Sequence, residues 1–241
     1  MSTTKLSVNI NKVALIRNAR GESLPDLIQF ARDCEAFGAD GITVHPRPDE
    51  RHVRFDDVPR LKEVVQTELN IEGNPTDRFM DLVLDVIPHQ CTLVPDDPDQ
   101  LTSDHGWDAR KHGDFLKEVI RELKSKGIRV SIFVDDDPDM MEAAAETGTD
   151  RVELYTGPYA VDYSADPSKA VKSYVETANL ARELGLEINA GHDLNLDNLQ
   201  FLIQSIPFIA EVSIGHALIS DALYYGIQNT IQMYKGKLRI N

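Results

Sequence analysis

Histidines, glutamates and arginines near the ends of apolar runs carry most of the chemistry this sequence can offer. His45 and Arg47 close the run GITVH (41 to 45) and begin PRPDERH, which adds Arg51 and His52. Glu72 sits in LNIEG (69 to 73), ahead of Asn74. Glu153 and Thr156 sit in RVELYTG (151 to 157), His192 follows INAG, and Gly215 and His216 follow EVSI. An imidazole titrates near neutral pH and suits proton transfer, although a histidine at a strand end is as often simply hydrogen-bonded. A carboxylate inside an apolar run either faces a polar lumen or is one half of a buried ion pair; for Glu72 the lumen reading is favoured. Glu153, alternating with Val152 and Leu154, either lines the same space or pairs with a basic residue inside it. Asp135, in DDDP, reads as a solvated turn and helix start. Arg47 and Arg51, like Arg17 and Arg20 in RNARG, suit bidentate phosphate binding or are plain solvent charges. In INAGH and SIGHA, glycine lets the backbone approach a ligand and a following helix start offers free amides to phosphate. Two anion sites would mean two phosphorylated substrates and hence a condensation.

These residues need elements that bring them to one place. Eight short β-type runs alternate with helical patterns: 6 to 10, 41 to 45, 69 to 73, 90 to 95, 128 to 135, 151 to 157, 186 to 191 and 211 to 217. Most read as continuous apolar runs, as in parallel strands buried on both faces. Helical spacing follows Pro25, and Gly38, Gly127, Gly148 and Gly185 stand just ahead of strands, where a helix stop is expected. Eight β/α units in 241 residues predict an α/β fold, a TIM (β/α)8 barrel in one domain over 1 to 241. Such barrels place their chemistry at the C-terminal strand ends, which here also include Asn9 and Asn11. The segment from Asp96 to Gly127 exceeds a simple connection; it predicts a loop carrying Thr102 and an extra helix over 111 to 126.

Composition narrows the partners. A formal net charge of -15 repels nucleic acid and anionic membrane surfaces. No apolar run reaches the roughly 18 residues of a membrane span, and the start lacks a signal-peptide pattern, so a soluble, cytoplasmic protein is expected. Cys34 and Cys91 are expected as reduced, buried thiols. HExxH, CxxC, the P-loop and GxGxxG motifs do not occur.

Taken together, VNI, RNARG, GADGITVH, ERH, the IE of the third run, LVP, E-x-x-TG-x-YA, NAGH and IGHA resemble the pyridoxine 5′-phosphate synthase family almost end to end. The resemblance implies condensation of 3-amino-2-oxopropyl phosphate with 1-deoxy-D-xylulose 5-phosphate, giving pyridoxine 5′-phosphate, inorganic phosphate and water in vitamin B6 biosynthesis. It implies no cofactor, no metal, and a homo-octamer built from dimers. Carried over, His45 and Glu72 are proton acceptors, His192 a proton donor and Glu153 an electrostatic stabiliser. Asn9, Arg20, Gly215 and His216 hold the aminoketone phosphate; Arg47, His52 and Thr102 hold the deoxyxylulose phosphate. The chain departs from the family at Asn11 and Lys12, where an acid and a histidine are usual, at Asp193, where glycine usually follows NAGH, and at Tyr155, often histidine. Asn11 still suits a sugar hydroxyl, and Asp193 a backbone amide contact. Two other readings remain open: a metal-dependent barrel hydrolase with His45, Glu72 and His192 as ligands, and a catalytically silent phosphosugar-binding protein.

Overall fold

The computed structural model describes residues 4–21, 23–96, 100 and 102–239. Residues 1–3, and residues 97–99 and 101 of the long loop, lie outside the described residues. Eight parallel strands close into a barrel in chain order: β1 Lys5–Asn9, β2 Gly41–Val44, β3 Glu68–Gly73, β4 Gln90–Leu93, β5 Arg129–Val134, β6 Arg151–Tyr155, β7 Glu187–Gly191 and β8 Ile209–Ile214. The chain is a TIM (β/α)8 barrel. Its helices are α1 Asn11–Asn18, α2 Leu27–Ala36, α3 Asp57–Val64, α4 Asp77–Val86, α5 Ala109–Ser125, α6 Pro138–Glu146, α7 Gly157–Tyr163, α8 Pro167–Ala170, α9 Lys172–Glu183, α10 Leu199–Ser205, α11 His216–Tyr225 and α12 Ile227–Lys237.

The helix expected as an extra one after the fourth strand is α5, the single helix described between β4 and β5 and so the ordinary helix of that β/α unit; its buried residues Leu116, Val119, Ile120 and Leu123 recur at helical spacing. The helix expected to follow Pro25 begins at Leu27, where the Asp26 side chain accepts from the amides of Ile28 and Gln29 and fixes the start. Two details differ from the sequence reading. The eighth strand runs two residues earlier than expected, and His216 opens a helix instead of closing a strand.

The other difference matters more. The strands alternate, apart from a register shift where β7 meets β8. Leu6, Val8, Ile42, Val44, Leu69 and Ile71 are fully buried in the apolar layer beneath the helices. Their neighbours of opposite parity fill the lumen, and most of them are polar, with Phe133 of β5 an apolar exception. Gln90 of β4 donates to Glu211 of β8 at 3.4 Å, a bond that only two inward-pointing side chains of non-adjacent strands can make. Around it run bonds from Thr92 to Asn70, from Asn70 to Thr43 and from Arg151 to Gln90 and Asn189. Toward the N-terminal strand ends, Lys5 and Arg129 both pair with Glu68, and Arg151 pairs with Glu187. The lumen is thus a column of hydrogen-bonding groups that leads to the opposite mouth.

Candidate active site

At the C-terminal strand ends, inward parity sets the mouth. Glu72, two residues above Asn70 on β3, accepts from the Asn9 amide of β1 at 3.3 Å. Burial, then the negative charges of Glu153, Asp96 and Glu211, raise its proton affinity well above the usual carboxyl range, against the pull of the Ser213 hydroxyl. Glu153 of β6 is 3% exposed, and its Oε2 has no hydrogen-bond partner among the described residues. Its Oε1 lies over Gly191 of β7, where a Cβ would come within 2.3 Å of it, so only glycine leaves room for this carboxyl. Burial and the charge of Glu211 push Glu153 up to about 8. No basic partner neutralises it; Arg151, one inward position lower, is taken by Glu187, Gln90 and Asn189.

His45 is buried beside β2, its backbone amide donating to the Asn11 side chain at 2.9 Å. Its ring meets that of His52 edge-on at 6.2 Å. Burial first, then the positive charges of His52 and Arg47, hold His45 well below the ordinary imidazole range, so it is neutral at pH 7. His52 is held at about 4 by burial and by Arg51. Its Nδ1 accepts from the Val53 amide, which leaves the proton on Nε2.

Arg47, expected as an open phosphate ligand, is 2% exposed and pairs with Asp96 at 2.6 Å. It also donates to the Gln100 carbonyl, as Arg51 does, while Ser103 donates to Asp96. These bonds dock the loop after β4 onto the end of β2.

His192 has φ 78° and Asp193 φ 58°, two successive non-glycine residues in the left-handed region, costing on the order of 1–2 kcal/mol each. The turn aims the imidazole between Phe133 and Tyr155, with ring centroids at 5.2 and 5.5 Å. Burial lowers its proton affinity, partly countered by Asp193. Tyr155 thus gives His192 an aromatic wall. Asp193 is exposed, with its carbonyl accepting from Asn198 at 3.1 Å.

Of the two helix starts expected to offer amides, one is present. Gly215 precedes α11, whose first turn has no side-chain cap, and it packs against Asn9. After β7, the next helix begins only at Leu199, so Gly191 and His192 do not sit on a helix N-terminus.

The other candidates stand apart from this cluster. Arg20 is exposed in the turn after α1 and makes no hydrogen bond or ion pair among the described residues, whereas its neighbour Arg17 is buried in a bidentate pair with Asp57. Thr102 and His216 are exposed. Asp135, read as part of a solvated turn and helix start, is exposed and accepts from the Gly106 amide, while Asp137 caps α6. The sequence reading passed over Asp96, Ser213 and Glu211 as site residues, and Lys12, half-buried beside Asn11, whose charge is felt by both His52 and His192. Strand parity was the available signal for Ser213 and Glu211, which share a face with Gly215. Among the described residues, no three His, Cys, Asp or Glu side chains gather as metal ligands, so the His45, Glu72 and His192 set read as an alternative does not form. No helix is long and apolar enough to cross a membrane.

The chain matches the family model "Pyridoxal phosphate biosynthesis protein PdxJ" over residues 6–239. It is 61% identical over 236 residues to the pyridoxine 5′-phosphate synthase of Bacteroides fragilis, covering 98% of this chain and 100% of that protein. It is 55% identical to the one from Porphyromonas gingivalis, again over 98% of this chain and 100% of that protein. Among solved structures, a phosphoribosylanthranilate isomerase from Thermotoga maritima aligns with TM-score 0.59 at 14% identity, covering 98% of both chains. A thiamine phosphate pyrophosphorylase from Pyrococcus furiosus aligns with TM-score 0.62 at 10% identity, covering 98% of this chain and 95% of that one. These two likenesses show the barrel fold.

Proposed function

The chain belongs to the PdxJ family of pyridoxal phosphate biosynthesis proteins, and from that premise we propose that its mouth condenses 3-amino-2-oxopropyl phosphate with 1-deoxy-D-xylulose 5-phosphate to pyridoxine 5′-phosphate, phosphate and water. The observation that carries the reading is Glu72: a carboxyl with raised proton affinity, bonded to Asn9, in a mouth shared with neutral imidazoles. Forming the ring through an imine at one carbonyl carbon and a carbon–carbon bond at the other moves a proton at nearly every step, and such groups exchange protons without large driving forces.

In this reading Glu72 and His45 accept protons as the imine forms and loses water. His192, whose site disfavours the imidazolium, becomes a strong donor once protonated and delivers its proton to a leaving oxygen. Glu153 rests as the neutral acid near pH 7; a cationic imine arriving beside it favours its ionised form, so its charge appears where the intermediate needs it. Asn9, Arg20, Asp193 and the Gly215–His216 start of α11 hold the aminoketone phosphate. Arg47, His52 and Thr102 hold the sugar phosphate, with the Asn11 amide nitrogen on a sugar hydroxyl, since the Asn11 oxygen already serves His45. Thr102 lies between Gln100 and Ser103, both tied to the Arg47–Asp96 pair, so it reaches substrate as part of a loop anchored at that pair.

A single catalytic domain, an assembly of eight copies built from dimers and a cytoplasmic location belong to the same proposal. Leu223, Tyr224 and Tyr225, exposed at the end of α11, offer apolar surface to such an assembly. The test is product formation. Pyridoxine 5′-phosphate fluorescence grows only when both phosphorylated substrates are present; binding of both without product would leave a phosphosugar-binding protein instead.

A further inference from the structure

The turn that carries His192 is held from the neighbouring strand by one side chain that no step of the reaction uses. Thr156, directly after β6, is fully buried. Its backbone amide donates to the Gly191 carbonyl at 2.9 Å, and its hydroxyl lies 2.7 Å from that same carbonyl and within hydrogen-bond reach of the His192 carbonyl. The Gly191 carbonyl is already served by the β6–β7 backbone pairing, which leaves the single proton of the hydroxyl for the His192 carbonyl. The Gly191 contacts fix the peptide plane before the His192 Cα, whose φ is 78°, and the hydroxyl contact to His192 fixes the plane after it, which leads into Asp193.

The residues on either side of Thr156 act on the same histidine. Tyr155 packs its ring against the imidazole at 5.5 Å, and its own backbone carbonyl is fixed by the Tyr174 hydroxyl at 2.7 Å. Gly157 leaves the space that the Tyr155 ring occupies, since a Cβ there would fall 2.3 Å from the tyrosine oxygen. On the far side of the turn, Asn198 donates to the Asp193 carbonyl. The two carbonyls of a left-handed dipeptide are thus gripped from opposite sides, and the ring between them has a fixed wall.

We propose that Thr156 is a positioning residue: its hydroxyl, by donating to the His192 carbonyl, keeps the His192–Asp193 turn left-handed and the imidazole aimed into the mouth. The proposal rests on the reading of His192 as proton donor for its effect on rate, but not for its effect on the ring. Removing the hydroxyl frees the peptide to relax toward the φ range that non-glycine residues prefer, and the imidazole turns with it. Because a misplaced proton donor slows chemistry without weakening substrate contacts, the loss falls on kcat and not on KM.

The test compares Thr156→Val, which keeps shape and the backbone amide, with Thr156→Ser, which keeps the hydroxyl, in the full-length protein. Two readouts are taken: the His192 imidazole resonance, assigned through His192→Gln, and steady-state kinetics. Thr156→Val is expected to move that resonance and its titration, and to lower kcat roughly 10–100-fold with KM little changed. Thr156→Ser is expected to stay close to wild type in both. In a His192→Gln background, Thr156→Val should cost nothing more. An unmoved resonance in Thr156→Val overturns the proposal, as does a full second loss in the His192→Gln background. Should the valine variant not fold, a serine variant with a displaced ring and low kcat would overturn it equally. A displaced ring with unchanged kcat would uphold the positioning role and refute His192 as the donor.

Discussion

Replacing Glu153 by glutamine should make the protein more stable above neutral pH while disabling it. Glu153 is 3% exposed and holds its proton up to about 8, against 4.5 for an ordinary glutamate. The raised affinity means that the folded chain binds the proton that the unfolded chain has already released. Stability is therefore full below about pH 4.5 and falls as pH climbs through about 8. Carried over that whole window, the loss reaches about 5 kcal/mol. Glutamine has the same shape and no charge at any pH, so it removes this loss. Its amide brings donors to a place where Oε2 already has no partner, at a cost of about 1–3 kcal/mol. A net gain of about 2–4 kcal/mol near pH 8.5 remains, or roughly 4–16 °C in Tm for a chain of this size. Thermal unfolding at pH 6 and pH 8.5 is the assay. The wild-type Tm should drop further between the two than that of Glu153→Gln, with Glu211, held at about 7 by burial, keeping some slope in both. Parallel drops would refute the reasoning, because Glu153 would then be ionised in the folded state.

Two further outcomes follow from the same geometry. Since Glu72 acts only when ionised and its affinity is raised, kcat/KM should fall about tenfold per pH unit below an inflection above 4.5; a rate flat down to that pH would contradict its role as base. Breaking the Arg17–Asp57 pair, both side chains less than 10% exposed, by Asp57→Asn should cost about 3–5 kcal/mol in urea unfolding, as the pair ties α1 to α3 and steadies the Arg17 guanidinium that holds the His52 carbonyl; an unchanged unfolding midpoint would contradict it.

The barrel was legible because eight β/α repeats with polar strand ends admit few other folds at this length. The mouth was legible for residues on or next to strands: Asn9, His45, Glu72, His192 and Gly215 fall at or beside a strand end, while Glu153 sits mid-strand on an inward position. The polar lumen was less so. Runs such as RVELY and EVSI look nearly continuous when their central glutamate is counted as an exception, yet the alternation holds within each and puts Glu153 and Glu211 on the same inward face. Partners remote in sequence were not legible at all. Arg47 and Asp96 lie 49 residues apart, and nothing local marks an acid at the start of a loop as the partner of an arginine after another strand. Nor does RNARG say which arginine turns inward. Arg17, on the helix, reaches Asp57, while Arg20, past its end, does not.

The central claim is that carboxyl and imidazole groups around one mouth run a condensation of two phosphoesters. Phosphorus NMR of the protein mixed with 3-amino-2-oxopropyl phosphate and 1-deoxy-D-xylulose 5-phosphate tests it most directly. The wild type should convert the two ester signals into equal amounts of pyridoxine 5′-phosphate and inorganic phosphate, and Glu72→Gln, still binding both substrates, should leave the esters intact. Inorganic phosphate without pyridoxine 5′-phosphate, or a Glu72→Gln variant that turns over at the wild-type rate, would contradict it.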